Sequence, residues 1–109
     1  MIKIIVTGGS GFIGSNLIKY FITNYDRIKI LSIDNYLSGF KSNEIKNDKV
    51  TYVNDSTSNI FKYYDFSPNY VFHFGEYSRV TQSFEEPDIV FESNLHGTSK
   101  VIHFLYSSK

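Results

Sequence analysis

Apolar positions along the chain fall into short β-branched runs separated by stretches of helical spacing. Ile2, Ile4, Ile5 and Val6 form the first run, which stops at Thr7. Such a run predicts a central parallel strand covered on both faces. Phe12, Ile13, Leu17, Ile18, Phe21 and Ile22 then recur at helical spacing and predict a helix. Further apolar runs at residues 28–33, 50–53 and 70–74 predict three more strands. Residues 58–64 predict a helix ending near Ser67-Pro68. Residues 88–106, with Ile89, Val90, Phe91, Leu95, Val101, Ile102, Phe104 and Leu105 as apolar positions, predict another. Strands alternating with helices imply an α/β fold built on a parallel sheet.

Between the first strand and its helix stand Gly8, Gly11 and Gly14. Gly8 lets the chain turn sharply where a Cβ would clash. Gly11 lets the backbone approach a pyrophosphate, and Gly14 lets the helix pack tightly on the sheet. The N–H groups of the helix's first turn, with its dipole, attract phosphate charge. Glycines are common in loops, so the triplet gains meaning only from its position. Asp34 strengthens it, lying 20 residues after Gly14 at the end of the second apolar run. A dinucleotide-binding unit places the carboxylate for its adenosine ribose there. A ligand-free glycine turn, and a carboxylate that caps a turn, fit the same residues.

Composition narrows the picture. A chain of 109 residues suits one small domain, with a core burying somewhat under about 70% of the unfolded surface. Eleven basic and eleven acidic side chains cancel, which gives no electrostatic argument for nucleic acid or an anionic membrane. No apolar run approaches the ~20 residues of a membrane span, and no signal peptide is expected ahead of the first strand. The absence of cysteine excludes disulfides and thiolate metal sites and suits a reducing cytoplasm. Nine tyrosines and ten phenylalanines read as compositional bias, not as a base-stacking platform. His96 and His103 are expected on a helix surface, so no metal is expected.

The segment TGGSGFIG, residues 7–14, has the form TGxxGxxG and resembles the extended short-chain dehydrogenase/reductases. Within these it is most similar to the nucleotide-sugar epimerases and dehydratases, whose chains open on TGGxGFIGSxL. The likeness continues through DNYLSG (34–39), the HFGE strand end (73–76), Val80, Ser83 and Pro87, and NLHGT (94–98). It implies an NAD-binding, Rossmann-type doubly wound parallel sheet. About four strands are expected in the order 3-2-1-4, with flanking helices and right-handed crossovers. On this likeness residues 1–109 are the N-terminal portion of the NAD-binding domain.

The same resemblance implies roles for individual residues. Gly8, Gly11, Phe12, Ile13 and Gly14 would line the dinucleotide, and Asp34 would chelate its ribose diol. A 2′-phosphate there would meet a negative charge, so NAD is favoured over NADP. Asn35, Ser38 and Gly39 would wrap the adenosine end, and Asp55 and Ser56 would meet the adenine. Phe74 and Gly75 would leave room for the nicotinamide ribose and pyrophosphate, and Asn94 would contact the nicotinamide side. Tyr77 and Arg79 would handle the sugar end of a substrate. Asp55 or Ser56 fits a helix N-cap as well, and Arg79 also fits a solvated loop charge. Glu76 departs from the family's small residue and is expected to point away from the pyrophosphate or toward substrate. His73 is expected to be a buried structural residue rather than a catalytic base. Gly97, inside a helix, costs about 1 kcal/mol against Ala and argues for close packing against a neighbour.

In this family a Tyr and a Lys at i and i+4 do the proton chemistry while hydride passes to the nicotinamide. Tyr25 and Lys29 have that spacing but flank the start of the second strand, and Tyr106 and Lys109 are three apart. No catalytic residue is therefore assigned. The expected function is NAD binding in a nucleotide-sugar epimerase or dehydratase, with hydride moving to and from the cofactor at a sugar carbon. The 109 residues by themselves are expected to be inactive, without the substrate domain or the Tyr-x-x-x-Lys segment. The intact enzyme is expected to be a homodimer. A non-catalytic dinucleotide-binding module and a reductase of non-sugar carbonyls are the alternatives.

Overall fold

A computed structural model describes residues 1–76 and 87–107. Four parallel strands, β1 (Ile2–Thr7), β2 (Ile28–Asp34), β3 (Val50–Asn54) and β4 (Tyr70–His73), lie in the order β3-β2-β1-β4. This is the Rossmann-type sheet order expected from the sequence. The register pairs Thr7 with Ile33 and His73, and Asp34 with Asn54. Four strand ends are thereby gathered along one edge, the carboxyl end where open α/β sheets bind ligands.

Alternation along the strands sends side chains to two cores. Ile4, Val6, Ile28, Ile30 and Val50 face α1 (Phe12–Asn24) and pack with its Ile18. Ile5, Leu31 and Ile33 face the other way, onto Ile60, Val101 and Phe104. Val101 and Phe104 belong to a continuous helical stretch made of α2 (Pro87–Val90), a wide turn (Phe91–His96) and α3 (Gly97–Ser107). The wide turn is a π-type segment, in which the Gly97 N–H donates to the Glu92 carbonyl five residues back. Periodicity alone had predicted one plain helix here.

The segment between β3 and β4 also differs from its expected α-helix at residues 58–64. It is a run of 3-10 turns, Thr57–Phe66, in which Asn59 and Tyr63 leave helical φ/ψ. The side chains of those two residues reach back to Asp55, Asn59 Nδ2 to Oδ1 and Tyr63 Oη to Oδ2, each at 2.8 Å. The departures from regular α geometry thus fall on two residues bonded to Asp55. The segment ends at Ser67 in the left-handed region, ahead of Pro68.

Gly97 is buried against Thr57, as close packing required, but the packing leaves room. A Cβ built there would stand 3.5 Å from Thr57 Cβ and 3.5 Å from the Glu92 carbonyl oxygen, ordinary contact distances. The expected tight fit is thus corrected: Gly97 has helical φ/ψ and tolerates a methyl group. Gly97→Ala is expected to stabilise the chain by about 0.5–1 kcal/mol through helix propensity and reduced unfolded-state entropy. Chemical denaturation of the variant measures it, and a loss of stability would contradict the assigned packing.

Candidate cofactor-binding site

The site is built where β1 leaves the sheet. Gly8 has φ +75°, and a Cβ on it would lie 2.7 Å from both the carbonyl carbon and oxygen of Phe74. Only glycine permits that turn and that approach. The Gly8 N–H donates to the Ile33 carbonyl at 2.7 Å, and the Gly11 N–H returns to the Gly8 carbonyl at 3.1 Å. A Cβ on Gly14 would stand 2.3 Å from the Gly8 oxygen. Gly14 therefore packs α1 onto the loop itself rather than directly onto the sheet, a correction to its expected role. Gly9, which sequence reasoning passed over, is as constrained: a Cβ there would meet Ser32 Oγ at 1.9 Å.

α1 begins with Gly11 as N-cap, with no side-chain cap and no acidic residue in its first turn. Its first N–H groups are thus left for an anion. Phe12 and Ile13 in this turn are 81% and 63% exposed. With Gly8, Gly11, Ser38 and Glu76 they line a cavity of about 500 Å³.

Asp34, only 8% exposed, ends β2 against the same loop. Its Oδ2 accepts the Ser10 N–H at 3.0 Å and its Oδ1 the Tyr36 N–H at 2.8 Å. Gly39 is pressed on it, since a Cβ there would stand 2.7 Å from Asp34 Oδ2. Asp34, Asn35, Ser38, Phe74 and Gly75 share a small cavity of about 50 Å³ that adjoins Gly8 and Gly11. Asn35 and Ser56 also face Asp88, Ile89 and Glu92 across an open groove. The structure thus gathers most residues singled out in the sequence along one line.

Ser56 is the N-cap of the 3-10 segment, its Oγ accepting from the Ser58 N–H at 3.2 Å. Asp55 is engaged by the Ser56 N–H, Asn59, Tyr63 and Lys62. Burial pushes its carboxyl up, but those donors outweigh burial and hold it below the usual value. Burial and the Asp55 bond push the Tyr63 phenol up to about 12. Neither Asp55 nor Asn94, which sits in the wide turn, lines the three cavities above. Tyr77 and Arg79 lie outside the described residues.

Beside the glycine loop a hydrogen-bonded chain has one consistent direction. The Gly75 N–H donates to Thr7 Oγ1 at 3.0 Å, which frees the Thr7 hydroxyl to donate to His73 Nδ1 at 2.6 Å. His73 then carries its proton on Nε2 and donates to Thr98 Oγ1 at 2.8 Å, and Thr98 donates to Glu76 Oε1 at 2.9 Å. Both ring nitrogens of His73 are thereby used in tying β4 to α3. Glu76 is turned to Thr98, a residue whose part sequence reasoning missed; only its place in NLHGT hinted at it. Burial holds the His73 imidazole below its usual value, against the pull of Glu76 at 3.6 Å. Tyr25 caps the far end of α1 and Lys29 lies near the start of β2, at the opposite end of the sheet from the loop.

A parallel sheet in this order, with a glycine loop and an uncapped helix N-terminus beside an acidic strand end, defines a dinucleotide-binding domain. The chain belongs to the NAD dependent epimerase/dehydratase family, whose sequence profile matches residues 4–109. It is 32% identical over 106 residues to a UDP-glucose 4-epimerase of Mycoplasma pneumoniae, covering 94% of this chain and 31% of the relative. Among solved structures it is similar to the Bordetella bronchiseptica enzyme WbmF in complex with NAD+, with TM-score 0.89 and 29% identity over 99% of this chain and 33% of that one. It is also similar to the UDP-glucose 4-epimerase of Thermotoga maritima with UDP-glucose, with TM-score 0.85 and 27% identity over 98% and 35% of the two chains. The chain spans about a third of the length of these relatives. Among the described residues, no helix is long and apolar enough to cross a membrane.

His73 gives the site a pH signature. A base whose pKa is lowered on folding contributes stability that is complete above its unfolded value, 6.5, and is lost as pH falls through the folded value. Stability measured by urea denaturation should therefore drop on acidification below pH 6.5. His73→Gln should lack that component, and at pH 7.5 His73→Ala should cost on the order of 1–3 kcal/mol as Thr7 and Thr98 lose their partner. Identical pH profiles for wild type and His73→Gln would contradict the assignment.

Proposed function

We propose that this chain binds NAD as the cofactor portion of a nucleotide-sugar epimerase or dehydratase. The observation that carries the reading is the uncapped first turn of α1, held over the glycine loop beside the buried Asp34 carboxylate. The pyrophosphate would lie against the amides of Phe12 to Gly14, where the helix dipole favours negative charge. Asp34 would take the adenosine ribose diol. Each of its oxygens accepts one backbone N–H, and an ionised carboxylate keeps about four acceptor sites, so capacity remains for two hydroxyls. Adenine would enter the groove between Asn35, Ser56 and Ile89. The nicotinamide end would run toward Phe74 and Gly75, and the lack of a side chain at Gly75 makes room for the Thr57 and Thr7 hydroxyls.

When bound, NAD supplies the hydride chemistry at a sugar carbon. The chain's own residues bind and orient it, and Glu76, drawn to Thr98, keeps its charge engaged with α3. The likeness to the WbmF complex with NAD+ supports the cofactor, and the likeness to the Thermotoga maritima complex with UDP-glucose supports a nucleotide-sugar substrate. Among the described residues no Tyr and Lys four apart stand at this edge of the sheet, Tyr36 and Lys41 being five apart, and this supports assigning them cofactor binding rather than turnover. The intact enzyme is read as a cytoplasmic homodimer. Leu95, Ile102, Leu105 and Tyr106, all exposed on the outer helix, supply apolar surface for such pairing.

Titration calorimetry of the purified chain with NAD is expected to show one site. Asp34→Asn, which keeps the shape but removes the charge from the bonds to the two hydroxyls, should weaken it by about tenfold. A folded chain that takes up no NAD would overturn the reading.

A further inference from the structure

Ser10 and Tyr36 each bridge two carboxylates. Their backbone N–H groups donate to Asp34, as described above. Their hydroxyls both donate to a single oxygen of Glu44, Oε2: Ser10 Oγ at 2.6 Å, and Tyr36 through a short bond. Glu44 follows the 3-10 turn Lys41–Asn43, and its own N–H donates to the Lys41 carbonyl at 3.0 Å. Asn43 Nδ2 and the Phe40 N–H both donate to the Ser10 carbonyl at 3.0 Å. The loop after β2 is thus fastened to the one serine between the glycines, and two carboxylates stand on either side of that serine.

We propose that Glu44 is a second acidic determinant of NAD over NADP, acting beside Asp34 at the adenosine end of the site. The inference rests on the proposed NAD site and deepens it. A ribose 2′-hydroxyl donates to a carboxylate, whereas a 2′-phosphate brings further negative charge. Asp34 and Glu44, separated by one serine, lie within about a Debye length of each other, so a phosphate at either is repelled by both. The donors that would otherwise serve a phosphate are also withheld. The hydroxyls of Ser10 and Tyr36 are committed to Glu44 and their N–H groups to Asp34. Burial, together with the Glu44 bond, holds the Tyr36 phenol above its usual value, which keeps it a donor. Lys41, with Nζ 5.8 Å from the Tyr36 ring centre, is an opposing charge on the same loop. It would favour a phosphate once Glu44 is neutral.

Affinities of the chain for NAD and for NADP, measured at about 50 mM and about 1 M salt, test this. Glu44→Gln, which keeps the shape and an acceptor, should lower the NAD-over-NADP preference by on the order of fivefold, through tighter NADP binding, and the gap should shrink at high salt. Lys41→Glu, at an exposed position outside these bonds, should raise the preference and stands in should Glu44→Gln fail to fold. An unchanged preference in either variant would overturn the proposal. So would equal weakening of both dinucleotides in Glu44→Gln, since Glu44 would then only fasten the loop. If the wild-type chain binds NAD and NADP alike, the dinucleotide site stands and the role of Glu44 falls. If it binds neither, the NAD reading itself fails first.

Discussion

The close passage of Gly8 beneath the Phe74 carbonyl constrains everything built around it. At φ +75°, and with any Cβ on Gly8 brought to 2.7 Å from that carbonyl, the chain has room for no side chain. The approach joins the ends of β1 and β4 and sets where the loop turns back. Gly14 then packs on the Gly8 oxygen, which fixes the start of α1 over the carboxyl edge of the sheet. The result is backbone stacked on backbone, with N–H groups exposed in place of side chains. A dinucleotide phosphate needs that kind of surface.

On either side of this loop, polar groups hold the edge in shape by different means. At the adenosine end, two carboxylates share Ser10 and Tyr36 and tie down the loop after β2. At the other end, a neutral histidine links Thr7 to Thr98 and so links β4 to α3. The first arrangement places negative charge where a ribose would lie. The second keeps charge low near the turn of the loop, with Glu76 directed to Thr98.

The sheet was legible in the sequence because strand burial on both faces leaves a continuous β-branched run, and parallel order follows from alternating strands and helices. The glycine loop was legible because backbone constraints leave glycine as a visible mark. Other features depend on contacts between residues distant in sequence and leave no local mark. In the 3-10 segment after β3, Asn59 and Tyr63 are held to Asp55, a contact that no periodicity encodes. Gly97 looked like a tight contact because glycine inside a helix usually is one, yet the neighbouring Thr57 stands at ordinary distance. Glu44 lies in a polar stretch that reads as surface loop, and only the path of the chain brings it to Ser10, 34 residues earlier.

The claim on which the account turns is that the glycine loop and the first turn of α1 receive the dinucleotide. Backbone amide NMR of the chain titrated with NAD tests it most directly. The account predicts that the largest shifts fall on residues 8–14, with Asp34 and Gly75 following, and little change at Tyr25 and Lys29 at the opposite end of the sheet. Saturable binding whose shifts cluster away from residues 8–14 would contradict it.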